Sequence, residues 1–315
     1  MATDLTIQSS YAGEFAGKYV SAALLQGNTI SSGLIEVKPN IKYKEVLKRV
    51  DLGNLIQDSD CSFSDNSNVT LTERIIEPKE LKVNLELCTK PFIQDWEAES
   101  MGFSAHDNIP KNFSDYFIAR IAAKVAQQTE IDIWSGVETD GSFDGFATLL
   151  ANDATLPAAN ELTGTTIDAS NVIDELGAVV DAIPKSIYSN DDLFIYVSQN
   201  IWRAYKRSLG GFGTGGLGAN GVNGQGNNQD VNIQSFDGIK LVCANGLAKN
   251  TMIATTKSNL YFGTGLLADH NEVKVIDMAP TLGEQNVRFI MRYTAAVQYS
   301  IAEDIITYGI VNNAN

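Results

Sequence analysis

The sequence predicts an α+β chain. Segments that alternate apolar and polar residues lie towards both ends, and segments with helical periodicity lie between them. The composition, 44% apolar and 19% charged, is that of a chain that folds and buries a core. Its 315 residues leave room for about two domains.

Residues 1–35 are small and polar, with Tyr11, Phe15 and Tyr19 spaced four apart. That spacing puts three rings on one helical face, suited to a short helix on its own domain or to an arm docked on a partner. Residues 36–90 read as β-structure. Leu81, Val83, Leu85 and Leu87 alternate with Lys82, Asn84 and Glu86, the period of a half-buried strand, and Val69–Ile76 repeats the pattern more weakly. The tract Asp58–Asn68 is too polar to pack and should be an exposed tip. Together these segments describe a long two-stranded projection, which buries little by itself and needs a partner surface.

The strongest helix is expected over 112–135. Asn112 is its expected N-cap, Asp115 lies in its expected first turn, Phe117, Ile121 and Val125 share a face, and Gly136 supplies the stop. At 1.5 Å per residue it would be a rod of roughly 36 Å. A second helix is expected over 168–183, ended by Pro184, and a third over 199–208, with the strand Leu193–Ser198 between them. Nine of the 26 glycines then fall between Gly210 and Gly226, a low-complexity loop. Strands follow at 239–244, 252–254, 260–262 and 273–276. The last strand runs from Val287 to Ile301 with clean alternation.

Acids number 38 against 23 bases, a net charge of −15, which does not suit a chain that coats nucleic acid by general attraction. Between Glu36 and Val50 the balance reverses to five cations against two anions. The cations are Lys38, Lys42, Lys44, Lys48 and Arg49. This is either a solvated face or a basic arm laid on the acidic surface of a neighbouring copy. Three cysteines, Cys61, Cys88 and Cys243, are odd in number and widely spaced, as expected in a reducing compartment. The opening Met1–Leu5 has no basic or apolar region, so no signal peptide is expected, and no apolar run approaches the ~20 residues of a membrane-spanning helix.

Motifs for chemistry are sparse. Gly213–Gly218 matches G-x-G-x-x-G but follows a helix instead of a strand, and Asn/Gly/Gln-rich chain follows it. His106 and His270 are far apart, with no cysteine at zinc spacing. The groups Asp95/Glu97/Glu99 and Asp140/Asp144 could work as acid and base or hold calcium, but read first as solvated loop acids. His106-Asp107 reads as a capping or loop pair. No cofactor and no metal is expected.

The order of elements resembles the major capsid proteins of tailed bacteriophages with the HK97 fold. The carrying residues are the N-terminal segment, the two-stranded segment, Leu81–Leu87 with Lys90–Trp96, the long helix, the glycine-bearing acidic turn Gly136–Phe146, the helix–strand–helix series to Ser208, Phe236–Cys243 and the terminal strand. The resemblance implies an N-terminal arm (1–35) and an extended loop (36–80). It implies a peripheral domain whose first part is 81–150, including the spine helix 112–135. An axial domain (151–275) would carry the glycine-rich loop 209–226, and 276–315 would return to the peripheral domain.

It further implies a non-enzymatic shell protein of the virion, assembled in the host cytoplasm into hexamers and pentamers around double-stranded DNA, without sequence-specific binding or a membrane. Portal, scaffolding and decoration proteins would be its other partners, with scaffolding a separate protein or already removed. Lys42, Lys44, Lys48 and Arg49, with Tyr11, Phe15 and Tyr19, are the expected inter-subunit contacts. No Lys/Asn/Glu set for covalent crosslinking can be assigned. An encapsulin-like nanocompartment shell, another virion protein or a carboxylate-dependent hydrolase using Asp140 or Asp144 are the alternatives.

Overall fold

The strand β12 (Asn286–Tyr299) organises one half of the molecule. In the computed structural model, which describes residues 28–52, 69–88, 111–139, 141–208, 233–265, 274–278 and 282–314, every second side chain of β12 from Val287 to Tyr299 is buried. The two-residue period therefore aims seven apolar groups at one core. β4 (Lys79–Cys88) pairs antiparallel with β12 over ten rungs, from Cys88 opposite Asn286 to Lys79 opposite Ala295. β10 (Leu260–Gly263) and β11 (Lys274–Asp277) also pair with β12, and β1 (Glu36–Lys38) runs parallel to β10, giving a five-stranded sheet. The helix α1 (Lys111–Ser135) brings Ile121, Val125, Ile133 and Trp134 to the same core.

A six-stranded sheet forms the other half. Its order is β5 (Glu161–Leu162), β13 (Ile306–Tyr308), β9 (Met252–Thr256), β6 (Leu193–Val197), β8 (Ile239–Cys243) and β7 (Ile233–Phe236). All five residues of β6 are buried, because both of its faces are covered. Leu193, Ile195 and Val197 pack with α3 (Val172–Asp181) and α4 (Gln199–Ser208), while Phe194 and Tyr196 join the first core. The rings of Tyr196 and Trp134 lie 4.9 Å apart, so this strand ties the two halves together.

Several boundaries differ from the sequence expectation. α1 begins at Lys111, so Asn112 lies within the helix instead of capping it, and Asp115 is its fifth residue, past the first turn. The helix expected over 168–183 is confined to 172–181. Asp168 instead holds a turn, its Oδ1 accepting bonds from the backbone N–H groups of Ser170 (2.7 Å) and Asn171 (3.3 Å). Phe146–Ala151 forms a short helix, α2, where no helix was expected. Gly136 ends α1 through close approach, not through a left-handed turn: a Cβ there would stand 2.3 Å from the carbonyl oxygen of Phe143. Gly145 donates its N–H to the Gly136 carbonyl at 2.9 Å, closing the loop that returns the chain across the helix end.

The expected segments 36–80 and 276–315 each serve more than one structure. Glu36–Lys38 joins the five-stranded sheet, and Ile306–Tyr308 joins the six-stranded one. The end of the expected arm is core: Leu34 and Ile35 are buried. Thr29 is buried too, and its N–H (3.1 Å) and Oγ1 (2.5 Å) both donate to the carboxylate of Glu130 on α1. The rings of Tyr11, Phe15 and Tyr19 lie outside the described residues, as do the tip Asp58–Asn68 and the glycine-rich loop 209–226.

Candidate functional site

Eight residues of β2 (Glu45–Leu52) pair antiparallel with eight of β3 (Val69–Ile76) in a ribbon of its own. Alternation along each strand separates two faces. The inner face carries Leu47, Arg49, Arg74 and Ile76, and it lies on the body. Leu47 and Ile76 are buried, and Ile76 packs with Ile41 and Ala296 in a small third cluster. The outer face carries Val46 opposite Ile75, Lys48 opposite Glu73, and Val50 opposite Leu71. These four apolar side chains are 40–63% exposed, and Tyr43 at the ribbon's base is 82% exposed. Five of the eleven large apolar side chains exposed among the described residues thus sit on this one small element. Such a concentration is the kind of surface that an interaction site presents.

The ribbon is fastened by polar contacts. The Nη2 of Arg74 donates to Oδ2 of Asp153 at 2.6 Å and to Oγ1 of Thr155 at 2.8 Å. Its guanidinium stacks 4.4 Å from the Tyr299 ring centre. Tyr299 donates its hydroxyl to the same Oδ2 at 2.5 Å, while Thr155 donates its N–H (2.9 Å) and Oγ1 (2.7 Å) to Oδ1. Burial alone would raise the Asp153 carboxyl, but the bonds from Tyr299, Thr155 and Arg74 outweigh it and hold the pKa at about 2. On the other strand, Arg49 donates to Glu303 at 2.8 Å. Gln298 Nε2 donates to the Ile75 carbonyl at 3.1 Å.

The five basic residues singled out in the sequence all lie in or beside this ribbon, but four have partners within the chain. Lys38 pairs with Glu45 at 2.6 Å, Lys44 with Glu77 at 2.7 Å, Lys48 with Glu73 at 3.9 Å and Arg49 with Glu303 at 2.8 Å. Lys42 is exposed and makes no ion pair with a described residue. The outer apolar stripe was missed, although its signal is present: Val46 and Val50 on one strand and Leu71 and Ile75 on the other each stand four apart.

Of the carboxylates considered for chemistry, Asp144 alone lies among the described residues. Asp144 accepts the Glu138 N–H at 2.6 Å and so fastens its own turn. Asp140, Asp95, Glu97, Glu99, His106, Asp107, His270 and Gly213–Gly218 lie outside the described residues. Among the described residues, no three His, Cys, Asp or Glu side chains gather as a metal ion would require.

No protein-family model matches the chain, and no curated protein matches it. Solved structures do match, over nearly the whole length. A chain of the capsid of the native GTA particle superposes with a TM-score of 0.61 at 14% identity, covering 98% of this chain and 95% of that one. A chain of the capsid of Cyanophage P-SCSP1u gives 0.58 at 14% identity, covering 95% and 92%. A chain of Mycobacterium phage Che8 gives 0.56 at 11% identity, covering 99% and 100%. The molecule has the mixed α+β fold of these chains, its arrangement kept where residue identity is nearly gone.

Proposed function

We propose that this protein is the major shell protein of a tailed-phage head. The observation that carries the reading is the fold shared with capsid chains over 95–98% of this molecule. On this reading the architecture is that of the HK97 fold. α1 is the spine helix and β4, β11 and β12 belong to the peripheral domain. The six-stranded sheet with α3 and α4 is the axial domain, and the β2–β3 ribbon is the extended loop.

The physical arrangement suits self-assembly. The ribbon presents apolar side chains that its own body leaves uncovered, and a second copy of the chain is the occupant that would cover them. A net charge of −15 leaves a neighbouring copy acidic on balance, while Lys42 and Lys44 lie at the ribbon base and Lys48 on its outer face. Lys42, Lys44, Lys48 and Arg49 remain candidate contacts, with the apolar stripe supplying burial and the cations supplying orientation. Each exposed ion pair contributes about 0–1 kcal/mol, so orientation is their larger effect. Hexamers and pentamers assembled this way would close around double-stranded DNA, in the host cytoplasm, with portal, scaffolding and decoration proteins as further partners.

Negative-stain electron microscopy after size exclusion, with a scaffolding protein co-expressed, tests this reading. Pentameric and hexameric rings or closed polyhedral particles are expected. A monodisperse monomer or dimer at every salt concentration would overturn it.

A further inference from the structure

Besides the apolar contact of Ile76 and the Gln298 bond to the Ile75 carbonyl, two arginines fasten the ribbon to the body, and their contacts are built differently. Arg49 reaches Glu303 across an exposed surface: the Glu303 side chain is 58% exposed. Arg74 reaches Asp153, whose side chain is 11% exposed and whose carboxylate accepts four hydrogen bonds from three residues. The Asp153 carbonyl also accepts a bond from Asn312 Nδ2 at 2.8 Å, and the Asn313 N–H donates to the Ala151 carbonyl at 2.7 Å. Four separate pieces of chain therefore converge here: β3, the 151–155 loop, the end of β12 and the C-terminal segment. The apolar support beside it is slight: among the described residues, the cluster holding Ile76 has two other buried members, Ile41 and Ala296, with Tyr261 packed against it. One of its links to the body is short as well. β3 runs into β4 through Glu77-Pro78 alone, and proline there cannot extend the ladder. An element with a small core, one short connection and one contact far more densely hydrogen-bonded than the others takes its direction chiefly from that contact.

We propose that Arg74 and Asp153 are positioning residues: their stacked, fully hydrogen-bonded contact sets the angle at which the ribbon leaves the body, and so decides which part of a second copy its outer face meets. This rests on the shell reading above. The charge alone does not do the work. The planar guanidinium bridges Asp153 and Thr155 while lying on the Tyr299 ring, which a lysine ammonium cannot do.

The test is hydrogen exchange on the full chain, read beside particle morphology, for the wild type, Arg74→Gln, Asp153→Asn, Arg74→Lys and Arg49→Gln. Arg74→Gln and Asp153→Asn should speed exchange of the amides of 45–52 and 69–76 by about tenfold, the factor that corresponds to roughly 1.4 kcal/mol of local opening. The amides of β6 and β9 should be unchanged. Arg74→Lys should recover part of the protection, and Arg49→Gln should change exchange by less than about threefold. In assembly, the two disruptive variants should give open or mixed-size products under conditions where the wild type gives one closed size. Unchanged ribbon exchange, or faster exchange with wild-type particles, overturns the proposal. Exchange that rises in β6 and β9 as well makes the contact a general stabiliser and overturns it too. Failure of the shell reading looks different, because then the wild type itself forms neither rings nor particles.

Discussion

β6 and the β2–β3 ribbon are both rich in branched apolar residues, yet their neighbours treat them in opposite ways. β6 is covered on each face, by α3 and α4 on one side and by Trp134 and its neighbours on the other. The ribbon has one covered face, held largely by ion pairs, and one bare apolar face. The first region is complete within a single chain. The second leaves apolar side chains uncovered by its own chain, and a strand pair of that kind is marginal alone in water. The difference separates a part of the molecule that stores stability from a part that, on the proposed reading, offers binding energy.

Substitutions can break that division. Ile195→Ala, at a fully buried site in β6, should cost about 2–5 kcal/mol in chemical denaturation of the subunit, because both packed faces resist collapse into the void. A cost below 1 kcal/mol would mean that the six-stranded sheet is not the stability store.

Acid should act next most strongly, and on the ribbon first. The Asp153 carboxyl is held down to about 2 from an ordinary 3.8, so its contribution is complete above pH 4 and disappears as pH falls from there towards 2. The loss should be about 1–2 kcal/mol and should be seen as ribbon exchange rising ahead of global unfolding.

Glu130 has the opposite sign. Burial raises its pKa above the ordinary 4.5, against the bonds from Thr29. Its contribution is greatest below that value and declines as pH rises through the elevated one. Melting temperatures across pH should show that Glu130→Gln flattens this decline, and an unchanged slope would remove Glu130 as its source.

The smallest effect on the subunit should come from the bare face. Leu71→Ser combined with Val50→Ser should alter stability by no more than about 0.5 kcal/mol while abolishing higher assembly in sedimentation. Assembly at the wild-type level would show that this face is not the contact.

Strong periodicity made some of this visible in advance. The alternation from Val287 to Tyr299 is what the sheet buries, that from Leu81 to Leu87 is buried at its two ends and partly buried between, and the helix over 112–135 is misplaced by one residue at its start. Other features depend on distant partners that local patterns do not contain. Arg74 looks like any charged residue on a strand until Asp153, 79 positions later, closes on it. The cationic run drew attention to Lys44, Lys48 and Arg49, whereas the fold supplies each with a glutamate from another segment. β7 escaped notice because Asp237 and Gly238, both at positive φ, turn a single expected strand into a hairpin.

The central place of β12 also has a bearing on synthesis. The ribbon's two strands leave the ribosome close together and can pair at once. Its fastenings come much later: Asp153 follows Arg74 by 79 positions, and Glu303 follows Arg49 by 254. The sheet that should receive β4 has no central member until the final tenth of the chain emerges. A nascent chain therefore displays its stickiest face throughout most of translation, before the body that aims it exists. Crowded polysomes making this protein would bring many such unfinished ribbons together, and the speed at which the last thirty residues dock governs how long that exposure lasts.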